Sequence, residues 1–297
     1  MRRSAGAALA AAALALALAC AATARAQVLH TERSLYRNIV VYDEAGVRCM
    51  RFGRQSGGRQ TCVSPADPDR LVFDYTKMMM GALYLNPAPA RILVVGLGGG
   101  TLPAALARLV PGARIDAIEI DPAVVRVAGA YFGWSPTPAT RVFEEDGRVF
   151  VKRAARRGER YDLVMLDAFD HEYIPEHLLT REFLLEVRAL LGERGVLAAN
   201  TFSGSRLYDH ESATYHAVFG DFYSARRANR VILLRAGGLP GADELARNAR
   251  ALDARLAPFG VSSQWLLPLI RIEDGWPPST RVLTDQYSPS NLLNATR

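Results

Sequence analysis

Apolar residues in this chain fall into short unbroken runs separated by amphipathic stretches, a pattern that is clearest from Arg91 onward. There the spacing predicts strand 91–96, helix 102–109, strand 114–120 and helix 122–131. A strand near 141–144, a helix from Arg148 to Ala155, a strand from Tyr161 to Leu166, a helix from Thr180 to Leu191 and a strand from Gly195 to Asn200 follow. Ile92 to Val95 is apolar throughout, as suits a parallel strand covered on both faces. Such alternation predicts an α/β fold with a mostly parallel sheet and helices on both faces. Two more apolar runs lie around Phe222 and Val231, and helical periodicity returns from Asp243 to Leu256. The stretch Leu283-Thr-Asp-Gln-Tyr-Ser-Pro289 matches no pattern.

Before Arg91 the runs are shorter. Ile39-Val-Val-Tyr42 reads as one strand, and two more flank the turn-rich Arg54-Gln-Ser-Gly-Gly58. A hairpin centred near Gln55 and Ser56 sets Cys49 opposite Cys62, so a cross-strand disulfide is expected in an oxidising compartment. Asp67 to Leu85, with Tyr75, Met78, Met79, Met80 and Leu83, reads as one helix whose methionines fill a core. Pro87-Ala-Pro89 punctuates the chain. The expected organisation is a leader over 1–26, a small β-stranded domain with a linking helix over 27–88, and a main domain over 89–297.

The leader has the composition of an export signal. Arg2 and Arg3 precede an apolar stretch from Ala7 to Ala22, and Ala24-Arg25-Ala26 is a small-x-small cleavage site. That stretch is too short to cross a bilayer comfortably. A periplasmic or secreted chain without a membrane span is therefore expected, with lipidation at Cys20 the weaker alternative. The net charge of +6 includes three arginines in residues 1–26, where there is no acid, so removal leaves +3. A surplus that small gives no reason to expect nucleic acid as a partner. The five histidines and the cysteines show no familiar zinc-ligand spacing, and no metal is expected.

The chemistry concentrates at strand ends. Gly96, Gly98 and Gly100 form a bend between the first strand and helix of the main domain. Glu119 follows Gly96 by 23 residues and, with Asp121, ends the next strand. A glycine bend lets backbone approach a nucleotide-type ligand, and an acid at the second strand's tip takes its ribose hydroxyls. The dinucleotide fingerprint requires a third glycine at position 101, which is Thr here. The G-x-G-x-G form instead resembles that of S-adenosylmethionine-type enzymes. Asp146-Gly147, Asp167 and Asp170 also end strands, so the acids should converge on one rim.

Together these motifs resemble the spermidine synthase, or polyamine aminopropyltransferase, family from about Leu35 to Phe202. The resemblance rests on the Gly96–Gly100 loop, Ile118-Glu-Ile-Asp121, Asp146-Gly147, and Asp167-Ala-Phe-Asp170 leading to Leu178-Leu-Thr180. It implies a Rossmann-like domain behind a small β-stranded one. It also implies decarboxylated S-adenosylmethionine as co-substrate, a small amine as acceptor, and a homodimer as one assembly to expect. By resemblance Glu119 holds the ribose, Asp146-Gly147 contacts the adenine, Asp167 accepts the proton and Asp170 helps bind the amine. Tyr75 matches a substrate-side tyrosine, and Arg37 stands where the family has a substrate-side glutamine. Gly99 replaces an aspartate of the family's loop, and Thr76 and Lys77 replace a histidine and a glutamate. Two other functions fit the same fold: methyl transfer from S-adenosylmethionine, and binding of a nucleoside or polyamine without turnover.

Overall fold

A computed structural model describes residues 26–53, 58–168 and 174–289. Residues 1–25 of the expected leader, and Asp170, lie outside the described residues.

Four strands come first: β1 (Gln27–Arg33), β2 (Asn38–Glu44), β3 (Val47–Phe52) and β4 (Arg59–Val63), antiparallel and in that order. The run Ile39 to Tyr42 is apolar throughout because this sheet is covered on both faces. Ile39 and Val41 pack with Met50, Phe52, Val124 and Val127, while Val40 and Tyr42 pack with Cys49 and Cys62. Alternate side chains leave a strand on opposite faces, so two buried faces need an unbroken run. Glu44 pairs with Val47 across a two-residue turn, Ala45-Gly46, in which both residues have positive φ. Cys49 and Cys62 are direct partners in the β3–β4 ladder and form a disulfide.

The single helix expected over Asp67 to Leu85 is instead two short helices after a turn, α1 (Asp74–Met79) and α2 (Ala82–Leu85). The break falls at Met80-Gly81. A Cβ on Gly81 would stand 2.9 Å from both the Leu233 side chain and the Met78 carbonyl, so the chain bends where it presses onto the sheet. Met78, Met79 and Met80 are fully buried with Ile92, Leu233 and Ile270. This segment, expected to link two domains, thus belongs by packing to the main sheet.

That sheet has eight strands in the order β12-β10-β11-β9-β8-β5-β6-β7. Five are parallel: β5 (Arg91–Val95), β6 (Arg114–Glu119), β7 (Thr140–Glu144), β8 (Tyr161–Leu166) and β9 (Leu191–Phe202). The runs around Phe222 and Val231 supply β10 (Tyr223–Arg226) and β11 (Asn229–Arg235), which with β12 (Ile270–Ile272) extend the β9 edge antiparallel. One face carries α3 (Thr101–Leu109) and α8 (Ala242–Leu256) with α1 and α2. The other carries α5 (Gly147–Arg156), α6 (Arg181–Leu190) and α7 (Tyr208–Phe219). Helix α4 (Pro122–Phe132) joins the two sheets, since its Val124 and Val127 lie against β2 and β3. The chain leaves β5 toward β6 on one side and returns to β8 on the other. A ligand crevice opens at such a switch point, beyond the carboxyl ends of the strands.

Candidate active site

A cavity of about 170 Å³ occupies that crevice. Gly96, Gly98, Glu119, Asp146, Gly147, Asp167, Tyr75 and Arg37 all line it. The rim read from sequence is therefore assembled by residues more than a hundred positions apart.

The glycine bend is shaped by close approach. Gly96 has φ 99°, and a Cβ there would come within 2.3 Å of the Asp167 carbonyl oxygen. Backbone alone lets β5 and β8 end side by side. The bend is also tied to β6, because Glu119 accepts the Leu97 N–H at 3.2 Å and the Asp121 N–H at 3.0 Å, one on each oxygen. The lone pairs left over can accept hydroxyls of a ribose. Burial pushes the Glu119 carboxyl above its ordinary range, against those two N–H donors and the nearby Arg37 charge.

Two residues expected in the binding site are elsewhere. Asp121 accepts the Ala123 N–H as the N-cap of α4 and takes a 2.5 Å bond from Ser34 Oγ, so its carboxylate pins β1–β2 to the helix. Gly100 caps α3 at φ 78° with the Trp134 ring against its Cα, where a Cβ would collide. Neither lines the cavity. Capping and tight packing use the same residue types as ligand binding, so sequence did not separate the roles.

Asp167 is a strongly perturbed acid of the cavity. Its Oδ1 accepts the Asn200 amide at 2.9 Å and its Oδ2 the Tyr75 hydroxyl at 3.5 Å. Burial outweighs both bonds and pushes its pKa up to about 7. Burial beside that carboxylate also keeps Tyr75 protonated, with a pKa well above that of a free phenol. Asp146 caps α5 through the Val149 N–H and bonds His177 Nε2 at 2.9 Å, which holds its carboxyl below the usual range. Asp146 thus spends one oxygen on its helix and meets an imidazole with the other.

The departures from the family motifs sort by direction. Lys77 turns away from the cavity, ion-paired to Asp74 at 3.2 Å, with its ammonium over the Trp265 ring. Thr76 lines the cavity, but its hydroxyl donates to the Phe73 carbonyl. A Cβ on Gly99 would meet Thr61 at 2.8 Å and Phe132 at 3.1 Å, so the N-terminal sheet fills the space a side chain there would need. Arg37 stacks over the Phe52 ring at 4.3 Å, and its buried Nε has no hydrogen-bond partner among the described residues. Of the two added cations, only Arg37 faces the ligand space.

Sequence reasoning missed several lining residues. Tyr36, Gln60 and Thr61 come from the N-terminal sheet, Glu145 precedes Asp146, and His177 follows the β8 loop. Glu145 is neutralised by Arg153. None of these has a motif, although their neighbours do. Among the described residues no group of three His, Cys, Asp or Glu could hold a metal, and no helix is long and apolar enough to cross a membrane.

A glycine bend facing a β6 carboxylate across a topological switch defines a Rossmann-like transferase of the S-adenosylmethionine-dependent type. Comparison with known proteins narrows the class. The chain belongs to the spermine/spermidine synthase family, whose domain matches residues 72–233. It is 47% identical over 275 residues to the polyamine aminopropyltransferase of Vibrio vulnificus (strain CMCP6), covering 91% of this chain and 92% of that protein. A probable spermidine synthase from Corynebacterium glutamicum shares the fold at a TM-score of 0.68 and 18% identity, over 86% of this chain and 96% of that one. Human methyltransferase-like protein 13, solved in complex with SAH, aligns at a TM-score of 0.58 and 28% identity, over 70% and 96%.

Proposed function

We propose that this protein transfers an aminopropyl group from decarboxylated S-adenosylmethionine to an amine acceptor. The observation that carries the reading is Asp167, a half-buried carboxyl held by Asn200 and Tyr75 in the same cavity as Glu119 and the glycine bend. In the reaction the amine nitrogen attacks the aminopropyl carbon next to the sulfonium. A C–N bond forms, the C–S bond breaks and methylthioadenosine leaves with the sulfur electron pair. The attacking nitrogen sheds one proton, which Asp167 accepts when ionised. Glu119 binds the ribose from the β6 tip, while Ile120, Pro175 and Leu178 offer apolar surface to the adenine. Fixing both reactants along one line removes much of the entropic barrier.

Turnover tests this reading. Decarboxylated S-adenosylmethionine and a panel of diamines should give methylthioadenosine and an aminopropylated amine. Asp167→Asn should abolish product while still binding methylthioadenosine. Turnover at the native rate by that variant would remove Asp167 from the mechanism.

A second reading, methyl transfer on the same fold, is supported by the similarity to human methyltransferase-like protein 13. Product release from the carboxylated but not the decarboxylated donor would favour it. We also infer that the chain is exported. The composition of residues 1–26 and the bonded Cys49–Cys62 pair support that placement, because disulfides persist in oxidising compartments. Intact mass of the exported protein should begin at Gln27, and a retained leader would contradict the inference.

A further inference from the structure

The carboxylate proposed as proton acceptor is aimed by a pair of asparagines on two neighbouring strands. Asn200 lies near the carboxyl end of β9, beside β8, whose end carries Asp167. Its Nδ2 donates to Asp167 Oδ1 at 2.9 Å, and its own Oδ1 accepts the Asn229 Nδ2 at 3.1 Å. The register explains the contact. Asn200 faces Val231 and Phe202 faces Asn229 in the antiparallel β9–β11 ladder, so the two asparagines are diagonal neighbours on one face.

An amide can sit in either of two orientations, and its surroundings choose between them. The flipped Asn200 would set its carbonyl oxygen against an ionised carboxylate, and its N–H₂ against the Asn229 donor. With Asn229 donating as it does here, both ends favour the orientation that gives Asp167 a proton donor. Asn200 is almost wholly buried. We infer that Asn229 is a positioning residue for proton transfer, acting on Asp167 through the Asn200 amide. This rests on Asp167 being the base.

The arrangement divides the labour on Asp167. Among the described residues Oδ1 is occupied by Asn200, while Oδ2 has one long bond, to Tyr75, and is the oxygen we assign to take the amine proton. The other titratable groups lining the cavity are Tyr36, Arg37, Glu119, Glu145, Asp146 and His177, from elements other than β9 and β11. Among the described residues, Tyr75 is the titratable side chain hydrogen-bonded to Asp167.

The test is a carbon-13 NMR titration of the Asp167 carboxyl in the full chain, with the resonance identified by its loss in Asp167→Asn. A donor to the ionised form lowers a carboxyl pKa, so removing it raises the midpoint. Asn200→Ala and Asn229→Ala should each move the midpoint upward, by about half a pH unit or more. In the double variant Asn229→Ala should add nothing to Asn200→Ala. Asn200→Ser replaces Asn200→Ala if thermal melts show the latter to be unfolded. A midpoint unmoved by Asn229→Ala, or moved equally in both backgrounds, would overturn the inference. Native-rate turnover by Asp167→Asn would instead remove the base and leave the titration result intact, so the two failures are distinguishable.

Discussion

A carboxyl with a pKa near 7 gives opposite pH dependences to activity and stability. Asp167 works as a base only when ionised, so kcat/KM should fall as pH drops through about 7 and level off above it. A profile flat from pH 5.5 to 8.5 would contradict this. Stability runs the other way. The folded protein keeps a proton that the unfolded chain has lost, so stability declines as pH rises from about 4 toward 7. At pH 8 Asp167→Asn should therefore raise the unfolding free energy by on the order of a few kcal/mol, measured in urea, while abolishing turnover. Glu119 and Asp167 were legible in the sequence because each follows apolar residues at a strand end, and Asp146 because it pairs with Gly147 just beyond a strand. Asn200 also follows one, Val196 to Ala199, but a lone amide carries no signal until its partner is known. His177 has no periodic context at all. Asp121 and Gly100 were misplaced because their capping and packing roles depend on Ser34 and Trp134, distant in sequence.

Whole elements were read best where both ends were marked by turn residues. The β5–α3–β6–α4 unit matches its expected limits to within a residue, since glycines or proline bound it and its periods differ sharply. The stretch 67–85 was misread because apolar residues at near-helical spacing conceal a bend that tertiary packing at Gly81 imposes. Two consequences belong to the β2–β3–β4 hairpins. Ala45 has φ 49° in a turn that favours Asn before Gly. Ala45→Asn should stabilise the protein by about 0.5–1 kcal/mol, and an unchanged denaturation midpoint would contradict that strain. The Cys49–Cys62 bond, spanning 13 positions, should contribute about 3 kcal/mol, so reductant should lower the melting temperature. Because Gln60 and Thr61 on β4 line the cavity, the same treatment should weaken nucleoside binding.

At the scale of the molecule, two sheets share one ligand space. The main sheet supplies the glycine bend and the acids, and the N-terminal sheet covers them with Arg37, Phe52, Gln60 and Thr61. Of the positions that depart from the family motifs, Arg37 and Thr76 line this space, while Gly99 and Lys77 do not. Calorimetry with methylthioadenosine addresses the shared claim directly. One nucleoside should bind per chain, with binding lost in Glu119→Ala and kept in Asp167→Asn. Absence of binding to the unaltered protein, or affinity untouched by Glu119→Ala, would contradict the assignment of this cavity.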